Sequence, residues 1–360
     1  MRPSADSAAP RRRRKTVDDF ARQSRSVRQT VYEQAGIRLG LHPTSVEKDF
    51  WVCWALKRLF GLSELRDHLI FKGGTTLSKV YGIIHRFSED IDLTIDRVAF
   101  GYGGEKDPDG AGSRKRREKM ITGMAVACAD YVQNDICQSL RAACDTALGQ
   151  CDGKWNIEID ERDPDAQTLL FVYPPAVSID LSTAYIEPAV RLEFGSRGDP
   201  WPTACMDVQP YAAEHFPHMF AKPHVRVTAL TAERTFWEKS TILHQEAHRP
   251  PTKPMPSRGS RHYYDLAMLA ESPVRQSALQ QLALLETVVR HKKHFFRCGW
   301  AGYDTARPGT LRLVPPDEYL KSLREDYRQM QVMMFQNPPT FDEIREILGD
   351  LEKEINSYGY

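Results

Sequence analysis

The chain has 360 residues, more than a single hydrophobic core usually holds, so two lobes are expected. Its 41% hydrophobic and 27% charged residues fit a folded chain, and a net charge of +1 excludes a polycation, so any nucleic-acid affinity has to come from local patches. No apolar run approaches the roughly 20 residues needed to span a bilayer, which points to a cytoplasmic protein without a membrane partner.

The start, MRPSADSAAPRRRRK, is small, Pro-containing and basic, and no apolar segment of signal-peptide type follows it. Composition therefore draws a disordered basic tail over residues 1–20, its first 15 residues above all, with a solvated tail the default and nucleic-acid contact the alternative. Thr44 and Glu47 stand at capping-box spacing before Phe50, Trp51, Trp54 and Leu59, which recur at helical intervals.

HLIFKGG then reads as a short strand closed by Gly73 and Gly74, TTLSKVYGII as a helix with Leu77, Val80, Tyr81 and Ile84 on one side, and DIDLTI as the next strand. Residues 101–118 are Gly-rich, polar and then basic, as in a loop, and a long helix follows to about Leu148. Cys137, Cys144 and Cys151 fall seven apart and read as a buried stripe; seven cysteines without a CxxC pair argue against a disulfide framework or a zinc ribbon. WNIEID, TLLFVYP, VSIDLS and AVRLEFG are short alternating runs typical of strands. From about Thr231 the pattern is helical to the end. The expected organisation is a core domain over 21–230 and a helical domain over 231–360.

Asp90 and Asp92 are the pair that demands explanation. In a strand, residues i and i+2 share a face, so two carboxylates project together, which repulsion and desolvation oppose unless a cation compensates. Such a pair holds Mg²⁺ together with substrate phosphates. Gly73 and Gly74 allow close backbone approach, and a helix starting at Thr75 offers free N–H groups to an anion. Ser88, two residues before Asp90, has a hydroxyl within reach of a phosphate, and Arg86 adds charge there. A phosphate cradle beside paired carboxylates is the equipment of nucleotidyl transfer.

The stretch KGGTTLSK…RFSEDIDL resembles the AbiEii/AbiGii toxin family of the polymerase-beta-like nucleotidyltransferases, which also includes the MenT toxins. VEKDFWV, ERTFWEKSTILH and SRHYYDLAML extend the resemblance over roughly residues 45–270, and the last 90 residues carry little of it. The resemblance implies an α+β fold, with a nucleotidyltransferase core of mixed, mainly antiparallel sheet flanked by helices and a helical C-terminal lobe closing the cleft. It implies a third carboxylate, for which Glu193 on the polar side of AVRLEFG and Asp180 in VSIDLS are the candidates. It also singles out Lys239, aimed at the triphosphate, and Asp265, which either holds Lys239 or acts on the nucleophile. The implied activity is that of a type IV toxin: Mg²⁺-dependent transfer of a nucleoside monophosphate from an NTP, with the 3′ end of tRNA as acceptor, a cognate antitoxin protein as partner, and growth arrest or phage defence as outcome.

Three alternatives stay open at this level: another acceptor such as a protein or small molecule, a nucleotide-binding module without transfer, and a nucleic-acid binder using the tail and the Arg114–Arg117 stretch. Val288–Tyr303 interleaves Arg290, Lys292, Lys293 and Arg297 with Phe295, Phe296 and Trp300. That composition suits an RNA end, while an amphipathic helix with a basic outer face is the reading slightly favoured. Lys72 and Lys79, flanking the glycines, read as phosphate contacts or as solvated charges.

Overall fold

The computed structural model describes residues 16–88, 90–178, 187–335 and 337–359. The Arg11–Lys15 run, and Asp180 with most of VSIDLS, lie outside the described residues.

Helix is already present ahead of the residue-20 boundary drawn from composition. Thr16 and Asp19 form a reciprocal capping box on α1 (Val17–Ala21), which buries Val17 and Phe20. After α2 (Arg25–Leu39), α3 (Pro43–Leu59) also begins earlier than the spacing of Thr44 and Glu47 indicates. Pro43 occupies its first turn, where the missing N–H costs nothing, and the His42 ring accepts the Thr44 N–H. Glu47 is thus no capping residue: its carboxylate accepts the N–H groups of Ala176 at 2.6 Å and Val177 at 3.0 Å.

β1 (Leu69–Lys72) leads directly into α4 (Gly73–Lys79), which starts at the glycine itself and is shorter than the TTLSKVYGII pattern suggests. β2 (Asp90–Ile95) follows. Residues 114–118 are not loop: Ser113 caps α5 (Arg114–Tyr131), and a π-helical turn joins it to α6 (Cys137–Leu148). Cys137 and Cys144 are buried as expected, while Cys151 lies beyond the helix end.

β3 (Asn156–Ile159), β4 (Thr168–Val172) and β5 (Ala189–Gly195) match the alternating runs. β6 (Thr203–Val208) and β7 (Val225–Leu230), on either side of α7 (Tyr211–His215), were not evident from sequence. The seven strands lie in the order β3-β4-β5-β2-β1-β7-β6. Pairing is antiparallel except at β2–β5 and β1–β7, so the sheet is mixed and mainly antiparallel. α8 (Ala232–Ala247), α9 (Ser260–Ala270), α10 (Val274–Leu279), α11 (Leu282–Phe295), α12 (Leu320–Met330) and α13 (Phe341–Ser357) complete an α+β fold.

One hydrophobic cluster lies between the sheet and the N-terminal helices, where Ile91, Leu93 and Ile95 of β2 point. Trp51 of α3 stacks on Tyr173 at 5.5 Å and Trp54 on Phe171 at 5.3 Å, fixing that helix to β4 and its end. A second cluster unites the C-terminal helices and takes Leu77 and Ile84 from the N-terminal part. Those two side chains tie the segment around the glycines to the helical lobe. The opposite side of β2, carrying Asp90 and Asp92, therefore faces the space between sheet and lobe.

Candidate active site

A cleft of about 410 Å³ opens over the polar face of the sheet, walled by α8 and by the ends of α9 and α11. Alternation along β2 puts Asp90, Asp92 and Thr94 in one row at its floor. The parallel register with β5 sets Arg191 beside Asp90 and Glu193 beside Asp92, and the antiparallel register with β1 sets Lys72 on the other side of Asp92. Glu193 thus joins the aspartates by strand pairing.

Burial pushes the Glu193 carboxyl up to about 7, and the negative charges of Asp92 and Asp90 add to the shift. Arg191 only partly offsets this, its Nη1 lying 3.4 Å from Glu193 while its Nε is 3.1 Å from Asp160. Among the described residues no three His, Cys, Asp or Glu side chains converge at metal-binding distance. The donor set nevertheless suits a hard divalent cation: three carboxylates in adjacent register, with Glu193 pushed up by burial and by the charges of the other two.

The two glycines serve the site's own side chains. A Cβ on Gly73, whose φ is +81°, would stand 1.9 Å from Asp92 Oδ2, and one on Gly74 would stand 2.4 Å from Arg86 Nη2. Glycine there lets the carboxylate and the guanidinium lie against the backbone. Thr75 is fully buried and does not line the cleft, contrary to its expected place at the nucleotide. Its hydroxyl donates to the Asp90 carbonyl oxygen at 2.5 Å and contacts Ser88 Oγ at 2.8 Å, fastening the entry of β2. Ser88 itself reaches the cleft.

Asp265 is fully buried and engaged. Arg86 donates to both of its oxygens, at 2.9 and 3.0 Å, and Lys239 Nζ donates to Oδ2 at 2.8 Å. Burial acts to raise the Asp265 carboxyl, but the charges of Arg86 and Lys239 overcome it and hold the group well below the usual carboxylate range. Of the two roles open at sequence level, holding Lys239 fits this geometry. Lys239 also meets His262 Nδ1 at 3.0 Å, an imidazole kept neutral by its burial and by the Lys239 charge.

Lys79 is no phosphate contact. It points away from the cleft, pairs with buried Asp49 at 2.7 Å and lies over the Tyr211 ring at 3.5 Å. Lys72 does line the cleft, as do Arg258, Arg261, Lys292 and Phe296. His262 carried a usable signal, standing one helical turn before Asp265 in SRHYYD; Thr94 was readable as the next residue in the Asp90–Asp92 row. Glu238 and Asp199 are joined by fully buried Arg234, at 3.1 and 2.9 Å, a link that sequence could not reveal.

A family model described as nucleotidyl transferase AbiEii toxin, type IV TA system, matches residues 54–347. The match thus reaches well past residue 270, into the helices where the motif resemblance is weak. Seven solved chains match. Among them, the MenT4 nucleotidyltransferase toxin of Mycobacterium tuberculosis is 16% identical, with 93% of this chain and 99% of that one covered and a TM-score of 0.39. No curated protein matches the chain.

Proposed function

The chain belongs to the AbiEii nucleotidyltransferase toxin family of type IV toxin–antitoxin systems, and from that premise we propose that it transfers a nucleoside monophosphate from an NTP to the 3′ end of a tRNA. The carrying observation is the register that sets Glu193 beside Asp92, one strand from the backbone turn at Gly73.

In this reading Asp90, Asp92 and Glu193 would hold Mg²⁺, which neutralises phosphate charge and favours attack at the α-phosphorus. The acceptor hydroxyl oxygen forms the new ester bond at the α-phosphorus. The bond to the β-phosphate breaks, pyrophosphate leaves, and the hydroxyl proton passes to water. Arg86 and Ser88, beside Gly74, orient the phosphates by charge and hydrogen bonding. Lys239, held by Asp265, balances charge on the leaving pyrophosphate. Asp265 is then a positioning residue, because both of its oxygens are already occupied.

The partners are the NTP, the tRNA and a cognate antitoxin, and the setting is the cytoplasm, with growth arrest or phage defence as the consequence. Among the described residues no helix is long and apolar enough to cross a membrane.

The test is incubation of the protein with total cellular RNA, Mg²⁺ and each NTP radiolabelled at the α-phosphate, beside Asp92→Ala. Label in a tRNA-sized band, absent with the variant, is the expected result. Label on protein would overturn the acceptor assignment and leave the chemistry. No label on any acceptor would overturn the transfer reading.

A further inference from the structure

Two basic segments stand out in the sequence, and the fold brings them together beside the cleft. The first, RKRREK at 114–119, has five cations and one acid, and it forms the start of α5. No acidic residue stands in that first turn. Cations at a helix N-terminus face the positive end of the macrodipole, at a cost of about 0.3–1 kcal/mol each, so helix stability does not explain them. The second segment ends α11, where Lys292, Lys293 and His294 do complement the dipole.

The two ends are fastened to each other. Arg297 pairs with Glu118, and His294 meets Asp109 at 2.9 Å in the turn to which Arg117 is bonded through the Pro108 carbonyl. The other side of the same helix end lines the cleft with Lys292 and the half-exposed ring of Phe296, whose centroid lies 4.8 Å from Lys292 Nζ. Lys115, Arg116 and Lys119 are exposed, and among the described residues none of them has an acidic partner. The Arg297–Glu118 and His294–Asp109 contacts therefore set the exposed cations of α5 near the helix end that carries Lys292 and Phe296 at the cleft's edge.

We propose that this α5–α11 face is the docking surface for the phosphate backbone of the RNA acceptor, with an unpaired terminal base stacking on Phe296. The inference rests on the reading that the acceptor is RNA. Backbone phosphates match a row of unpaired cations, and an exposed ring beside a lysine accepts a base of any identity. Such contacts supply affinity and register, leaving the reacting hydroxyl to the carboxylates on the cleft floor.

The test compares the intact protein with a Lys115→Glu, Arg116→Glu, Lys119→Glu variant and with a control, Lys321→Glu, Arg328→Glu, Lys353→Glu, which alters charge equally on α12 and α13. The probe is a fluorescein-labelled RNA hairpin with a single-stranded 3′ end, titrated by anisotropy at several salt concentrations. We expect the α5 variant to bind at least about 10-fold more weakly and its salt slope to flatten by about 2, while the control matches wild type. In the transfer assay the same variant raises KM for RNA and leaves kcat unchanged.

Equal binding by the α5 variant and wild type would overturn the docking surface without touching the transfer reading. So would equal weakening by the control, which would reduce the effect to net charge, and so would failure of wild type to bind RNA. Patch-dependent binding with no label transferred would sink the transfer reading and uphold the surface.

Discussion

Arg86 and Asp265, 179 residues apart, meet in a two-point ion pair whose second oxygen also receives Lys239. The pair joins the segment beside Gly74 to α9 and aligns two cations along one wall of the cleft. Asp265→Asn leaves both cations buried without their counter-charge. The expected loss of stability is about 3–5 kcal/mol by urea unfolding. Nucleotidyl transfer should fall about 100-fold even in the folded fraction, because Arg86 and Lys239 lose their common anchor.

Gly73→Ala should act on Asp92 alone. The new methyl would collide with its carboxylate in a left-handed backbone conformation, adding about 1–2 kcal/mol of strain and displacing the Asp92 carboxylate. Transfer should drop about 100-fold while the circular dichroism spectrum stays that of wild type. Retained activity would show that the close approach of Gly73 and Asp92 is not required.

Lys79→Met separates fold from chemistry. It strands buried Asp49 and should lower stability by about 3–5 kcal/mol. The folded fraction should transfer nucleotide at the wild-type rate, since Lys79 lies outside the cleft. A selective loss of kcat would return Lys79 to the nucleotide.

Acid should loosen the C-terminal lobe through His244. Its Nδ1 accepts the Arg312 N–H at 3.0 Å and its Nε2 bonds the Gly302 carbonyl at 2.9 Å, an arrangement only the neutral ring allows. Burial lowers this imidazole from 6.5 to about 4. The unfolded chain therefore takes up the proton first, so stability is full above pH 6.5 and falls as pH drops toward about 4, by up to about 3 kcal/mol. His291, lowered to about 4 chiefly by burial, contributes in the same direction. Urea midpoints measured across that range should fall for wild type and fall less for His244→Gln.

The sequence carried the chemistry of β2 plainly, because alternation in a strand is a local rule and Asp90 and Asp92 obey it. Glu193 was readable as polar-facing, but only the β2–β5 register sets it beside Asp92, and register is a property of two distant segments. Glu47 misled for a related reason. The Thr44–Glu47 spacing fits a cap, while Pro43 starts the helix earlier and frees Glu47 to bind the backbone at Ala176 and Val177. Lys72 and Lys79 are alike on paper, yet one lines the cleft and the other is buried against Asp49. The engagement of Asp265 by Arg86 depends on how the helical lobe settles on the sheet, which no local pattern encodes.

In the proposed reaction Asp90, Asp92 and Glu193 act together as the cation site for nucleotidyl transfer. The most direct test is the initial rate of label transfer to RNA against Mg²⁺ concentration for wild type, Asp92→Asn and Glu193→Gln. We expect no transfer in EDTA, none with Asp92→Asn, and for Glu193→Gln a saturating Mg²⁺ concentration raised at least about 10-fold. Transfer that survives EDTA, or a Glu193→Gln curve that overlays wild type, would contradict it.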